Sequence, residues 1–245
     1  MWKTMALHFA GLAVAAALAQ EQSPKSSTYK VAKLREAPVI DAKWDKAPWK
    51  DVKPLDVAQF MGRKPEHLPL TQAKVAYDDE AVYVIFKVED RYVRAVAESN
   101  QSSVCLDSCV EFFFAPGNDV TAGYFNLEMN CGGTMLLNFQ KVPRKDARPL
   151  PEKALNEVKV AHSLPKIVEP EITEPTVWTV EYRLPLAILG EHCPVTKPAP
   201  GVVWRANFYK CADKTSHPHW LTWSFIDRPR PDFHVPKDFG VLEFE

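Results

Sequence analysis

Apolar and polar residues alternate with a period of two through most of the chain, which predicts strands rather than helices. Gln72 to Tyr77 and Ala81 to Glu89 flank Asp78-Asp79-Glu80, and Val82, Val84, Phe86 and Val88 share one face, so a β-hairpin is expected here. A second hairpin is expected from Ser108 to Ala115 and Tyr124 to Asn130, around Pro116-Gly117-Asn118-Asp119. On its first strand Val110, Phe112 and Phe114 alternate with Cys109, Glu111 and Phe113; on its second, Phe125, Leu127 and Met129 alternate with Tyr124, Asn126, Glu128 and Asn130. Matching the apolar faces sets Glu111 opposite Glu128 or its neighbour, on a solvated face.

Further strands are predicted over Thr134 to Gln140, Glu157 to His162, Val177 to Leu184, Val202 to Ala212, Leu221 to Phe225 and Phe239 to Phe244. Pro185 to Gly190 reads as one helical turn, and residues 141–155, with Arg144, Lys145 and Arg148, as a basic loop. Ten or more short antiparallel strands with minimal helix predict an all-β fold, a β-sandwich in one domain.

The N-terminus breaks this pattern. Residues 1–19 carry Lys3, an apolar run from Ala6 to Leu18, and Ala17-Leu18-Ala19 as a cleavage signal, which together read as a secretory signal peptide. The protein is thus expected to be secreted or periplasmic, without a membrane span. Residues 20–37 read as a processing linker followed by an N-terminal strand, and residues 38–245 as the sandwich. The 21 prolines against 9 glycines argue against long helices. A formal net charge of −1 offers no basic field for nucleic acid.

Of the five cysteines, Cys105, Cys109, Cys131, Cys193 and Cys211, an odd count leaves at least one thiol unpaired. A Cys109–Cys131 disulfide is one option. The hairpin register puts those residues on opposite faces, so the bridge would need a bulge, which Gly132-Gly133 can supply.

Several residue sets carry candidate chemistry. Arg205, Asn207 and Tyr209, with Glu181 and Arg183 and with Glu111, Asn126, Glu128 and Asn130, are expected to give one sheet a side rich in hydrogen-bonding groups. Such a side serves either as an ordinary solvated face or as a sugar platform. Glu111 and Glu128 on adjacent strands approach the spacing of a retaining glycosidase pair, which makes a glycoside hydrolase the enzymatic alternative. His217-Pro218-His219, near Cys211, Asp213 and His234, raises a transition-metal site. Met61 and Met129 with these histidines raise a haem-binding redox module on a similar sandwich. No GxSxG motif and no phosphate-cradling glycine loop occurs.

Pro38-Val-Ile-Asp41 followed by Trp44-Asp-Lys-Ala-Pro-Trp49 resembles the opening of family 9 carbohydrate-binding modules. Val75-Ala-Tyr-Asp-Asp-Glu-Ala-Val-Tyr-Val is similar to that family's hairpin, and Asp107-Ser-Cys-Val-Glu-Phe-Phe and Phe239-Gly-Val-Leu to its later strands. The resemblance covers about residues 38–245. It departs at Ala42, where the pattern has glycine, and at Arg91-Tyr92, where a tryptophan would give a stronger clamp.

The resemblance implies a jelly-roll-like sandwich that grips a mono- or oligosaccharide between aromatics, and bound structural calcium in some members. It also implies association with carbohydrate-degrading enzymes. On this reading the protein is a secreted, non-catalytic carbohydrate-binding protein. Tyr92 and Phe233 stack on the sugar, with Trp223 a third surface. Arg91, Glu128, Asn130, Lys210, Asp213 and His234 hydrogen-bond its hydroxyls, and Arg144 closes from the basic loop.

Overall fold

The computed structural model describes residues 26–245, so the expected signal peptide lies outside the described residues. The strands, in chain order, are β1 (Thr28–Lys33), β2 (Leu55–Asp56), β3 (Gln59–Phe60), β4 (Leu70–Tyr77), β5 (Ala81–Asp90), β6 (Val93–Ala95), β7 (Cys109–Ala115) and β8 (Tyr124–Asn130). They continue with β9 (Met135–Gln140), β10 (Arg148–Pro149), β11 (Lys159–His162), β12 (Val168–Ile172), β13 (Thr176–Pro185), β14 (Val203–Cys211), β15 (Trp220–Thr222) and β16 (Gly240–Phe244). Two short helices, α1 (Glu152–Glu157) and α2 (Leu186–Gly190), complete the set. No described helix is long and apolar enough to cross a membrane.

One layer runs β10-β9-β8-β7-β14-β16-β1, and the other β1-β4-β5-β13-β11. β15 pairs with β14 and β3, and β2 with β4, while β12 and β6 form a separate two-stranded ribbon. The pairings are antiparallel except at β1, which runs parallel to β16 through Thr28–Val31 and parallel to β4 through Ala32–Lys33. One strand thus belongs to both layers.

The predicted alternation decides what lies between the layers. Phe112 stacks on Phe114 at 4.5 Å and on Phe208 at 4.8 Å, and Phe208 meets Phe86 of the opposite layer at 6.0 Å between ring centroids. Val82, Val84 and Val88 fill the same core, as do Trp178, Trp204 and Leu127. Burial of each such side chain contributes about 1.5–3 kcal/mol, enough to hold the layers without crosslinks. α2 coincides with the expected helical turn. The basic loop contains α1, whose Ala154 and Leu155 face the core; Lys153-Ala-Leu are good helix formers that the surrounding prolines masked.

Two expectations need correction. Glu181 and Arg183 do not share a sheet side with Glu111, because they lie on β13 in the other layer. Glu181 is buried and accepts from Trp49 Nε1 at 2.7 Å, Lys46 Nζ at 2.7 Å, Ala42 N at 2.7 Å and Asp41 N at 3.0 Å. The Asp41-to-Trp49 motif is therefore a structural clip over the back of the second layer. Secondly, Cys109 and Cys131 form no disulfide, and all five cysteines are free. Cys131 faces the core between the layers and Cys109 the outer side, so Gly132-Gly133 closes a turn without bringing the sulfurs together.

Candidate functional site

The outer side of the β7–β8–β14 layer is not solvated, contrary to expectation. Loop segments bearing Cys105, Arg144, Asp213 and Pro231 to His234 fold over it and leave a cavity of about 160 Å³. A cavity of that size holds roughly one six-membered ring. Its floor comes from the strands: Glu111 and Phe113 of β7, Glu128 of β8 and Cys211 of β14. Its walls come from the loops: Cys105, Asp213 and Pro231 to His234, with Trp220 of β15 and Arg144 beside them.

A hydrogen-bond relay fixes the floor. Asn126 Nδ2 donates to Glu128 Oε1 at 3.0 Å, Gln140 Nε2 to Asn126 Oδ1 at 2.8 Å, and the Arg144 backbone N–H to Gln140 Oε1 at 2.8 Å. Arg144 adopts φ 62°, a left-handed conformation that costs a non-glycine residue on the order of 1 kcal/mol. Its guanidinium donates to Asp232 Oδ1 from Nη2 at 2.9 Å and from Nε at 3.2 Å. Trp220 Nε1 donates to Asp213 Oδ1 at 2.7 Å, and Tyr124 Oη lies 2.8 Å from His234 Nδ1. Phe233 stacks on Tyr209 at 4.1 Å, whose hydroxyl donates to the Phe233 carbonyl.

Burial dominates the electrostatics. It pushes the Glu111 carboxyl well above the usual range, with Glu128 adding to the effect, and it pushes Glu128 up to about 7. Burial also raises Asp213, and together with the nearby Arg144 it lowers His234 to about 4. The cavity near neutral pH thus offers carboxyls held towards their protonated form, a neutral imidazole, a tethered guanidinium and the rings of Phe113, Trp220 and Phe233.

Of the residues expected to bind sugar, Glu128, Arg144, Asp213, Phe233 and His234 line this cavity. The others do not. Asn130 is fully buried and spends its side chain on Asp107 and on the Gly132 and Thr134 N–H groups. Trp223 packs in the core against Phe208 at 5.6 Å. Arg91 donates to the Thr173 carbonyl, and Tyr92 stacks on His217 at 3.6 Å, outside the lining of the cavity.

Lys210 shares the parity of Trp204 and Phe208, so it enters the core, where Asp90 lies 3.3 Å away. It donates to His219 Nε2 at 2.7 Å, which leaves Nδ1–H of that ring to donate to the His217 carbonyl. Both nitrogens of His219 are therefore committed, and the His-Pro-His pair is a packing element. Met129 faces the core between the layers, away from His234. Trp220 is among the lining residues that sequence reasoning missed, with Cys105, Phe113 and Pro231. The signal for Trp220 was parity, since Leu221 belongs to the core and its neighbour must face outward.

Calcium takes six to eight oxygen ligands. Among the described residues, the one group of three His, Cys, Asp or Glu side chains close enough to share an ion is Cys109, Glu111 and Cys211. Its thiols do not suit calcium, so these residues do not fit the ion that the resemblance implied.

The model of "Carbohydrate-binding family 9" matches residues 42–244. Among solved structures, the chain is similar to a candidate carbohydrate-binding protein of Bacteroides uniformis, at 28% identity and TM-score 0.81, over 90% of this chain and 100% of that one. It is also similar to a family 9 carbohydrate-binding module from Caldicellulosiruptor kristjanssonii in complex with glucose, at 16% identity and TM-score 0.62, over 89% of this chain and 96% of that one. The complex of such a module from the same organism with cellotriose gives 16% identity and TM-score 0.61, over 89% and 94%. A comparison with curated proteins found no match.

Proposed function

Because the chain belongs to carbohydrate-binding family 9, we propose that it is an exported, non-catalytic protein that holds one sugar ring in the cavity over β7, β8 and β14. The observation that carries this reading is the cavity itself. Its volume of about 160 Å³ suits one ring, and its lining alternates aromatic faces with charged or protonated hydrogen-bonding groups. Trp220 and Phe233 supply surfaces for the C–H faces of the sugar. Arg144, Asp232, Asp213, Glu128 and His234 supply directional donors and acceptors for its hydroxyls. Modules of the same fold are bound to glucose and to cellotriose, so these are the first ligands to test.

Electrostatics support a binding role over hydrolysis. A retaining glycosidase needs one ionised nucleophile beside one protonated acid, so its two environments push the carboxyls apart. Here burial pushes Glu111 and Glu128 in the same direction. Export is proposed on the residue 1–19 pattern, and an N-terminal sequence starting at Gln20 in protein recovered outside the cytoplasm is the corresponding check.

Isothermal titration with glucose, cellotriose and a wider saccharide panel tests the function. Binding in the micromolar to millimolar range is expected, weakened at least tenfold by Trp220→Ala and by Arg144→Ala, with no reducing sugar released. Absence of heat with every saccharide overturns the reading.

A further inference from the structure

The floor of the cavity contains a group that sugar recognition does not use. Cys211 on β14 and Cys109 on β7 are direct cross-strand partners, and Glu111 follows on the same outer face of β7. One ligand atom from each lies within 4.8 Å of the others. Cys211 Sγ sits 3.1 Å from Glu111 Oε1. All three side chains are buried, and Cys211 and Glu111 reach the cavity beside Glu128.

This convergence lacks a counter-charge. Two thiols and two carboxyls meet where burial makes negative charge costly. Arg144, the basic residue lining the cavity, is already tied to Asp232, and Lys210 points to the other side of the sheet. Buried acidic groups without a cationic partner are retained either protonated or around a metal.

We propose that Cys109, Cys211 and Glu111 bind a thiophilic divalent cation of the zinc class, with one coordination position open to the cavity. Two sulfurs and one carboxylate oxygen form a donor set that zinc accepts, and zinc sites that are not purely structural keep a fourth position free. Metal–ligand bonds of about 2.0–2.3 Å place the donors of one tetrahedral shell roughly 3.5–4 Å apart, within the spread seen here. β7 and β14 are central strands of their layer, so the donors sit on a rigid part of the sheet rather than on a loop. Asn126 orients the adjacent Glu128, which lines the cavity beside the site. Binding releases the thiol protons, so affinity falls in acid. The site stands independently of sugar recognition, because none of its three donors needs a bound saccharide.

The test uses the full chain, reduced with a phosphine and dialysed free of metal, then titrated with Cd²⁺ and back-titrated with Zn²⁺ in the absence of sugar. The expected result is one equivalent bound per chain, with a thiolate-to-cadmium charge-transfer band in the ultraviolet that Zn²⁺ bleaches. Zn²⁺ at a hundredfold excess over its Kd should raise Tm by about 5 °C or more. Cys109→Ser and Cys211→Ser should each abolish the band, Glu111→Gln should weaken binding at least tenfold, and Cys193→Ser should change neither. The wild-type titration decides the matter even if a floor variant fails to fold. No band and no Tm shift in the reduced wild type overturns the proposal, as does a band that survives in folded Cys211→Ser. Finding Cys109 and Cys211 joined in a disulfide in the freshly isolated protein also overturns it.

Discussion

Glu111 on β7 and Glu128 on β8 stand directly opposite each other across the hairpin, both beneath the loops of the outer side. Glu128, held up at about 7 by burial, remains protonated at pH values where the unfolded chain has ionised, since its ordinary value is 4.5. Its favourable contribution is therefore complete below about pH 4.5 and lost as pH rises through 7, a loss of roughly 3 kcal/mol. Glu128→Gln should raise Tm by about 5 °C or more at pH 8 and leave it nearly unchanged at pH 4.5. Thermal unfolding at the two pH values measures the difference.

His234 carries the opposite sign. Burial and Arg144 hold its imidazole near 4, below its ordinary 6.5. The neutral ring favours the folded state above pH 6.5, and that advantage is lost as pH falls towards 4. His234→Gln should therefore reduce the loss of stability between pH 7 and pH 4.5 by about 2 kcal/mol. Urea unfolding of wild type and variant at both pH values reads this directly.

Lys210 and Asp90 form an ion pair that is fully enclosed at one end of the core. Lys210→Ala strips Asp90 Oδ2 of its ammonium, although Oδ1 keeps His67 Nε2 at 2.7 Å and the Arg91 N–H, and should cost about 3 kcal/mol. Combining Lys210→Met with Asp90→Asn removes both charges and should recover most of that loss. Denaturant midpoints of the single and double variants distinguish a buried-charge penalty from simple loss of packing.

Glu181 gathers the Trp49 indole, the Lys46 ammonium and two backbone N–H groups. Glu181→Ala should destabilise the protein by about 3–5 kcal/mol. Glu181→Gln, which keeps an acceptor oxygen, should cost less. Saccharide affinity of the folded fraction should stay unchanged in both, because Glu181 lies on the layer away from the cavity. Titration calorimetry below the unfolding temperature checks this.

The hairpins were legible because period-two alternation alone sets strand, face and register, and Val82, Phe86, Phe112 and Phe208 all obey it. The same rule also places Lys210 in the core, since it follows Phe208 by two positions. Its charge argued for solvent, and its compensating partner, Asp90, lies on a strand of the other layer that no local pattern links to it. The cavity was half legible. Glu128, Phe233 and His234 come from strands and loops with visible polar or aromatic character. The lid over them depends on how proline-rich loops cross the sheet, which is a long-range outcome. Tyr92 lies outside the cavity lining and stacks on His217, a pairing across distant loops that no local pattern announces. Asn130 is wholly buried, and the N–H groups of the turn after β8 occupy its side-chain oxygen.

β1 has a consequence for biosynthesis. It is the strand shared by both layers, and its partner over Thr28–Val31 is β16, more than two hundred residues later in the sequence. The two sheets are therefore sewn together only once β16 has been synthesised, and contacts so distant in sequence form slowly. Until then β1 presents an open parallel edge, and open edges recruit strands from neighbouring molecules. A nascent or truncated chain that stops before Gly240 is thus the form most prone to pair with its own copies.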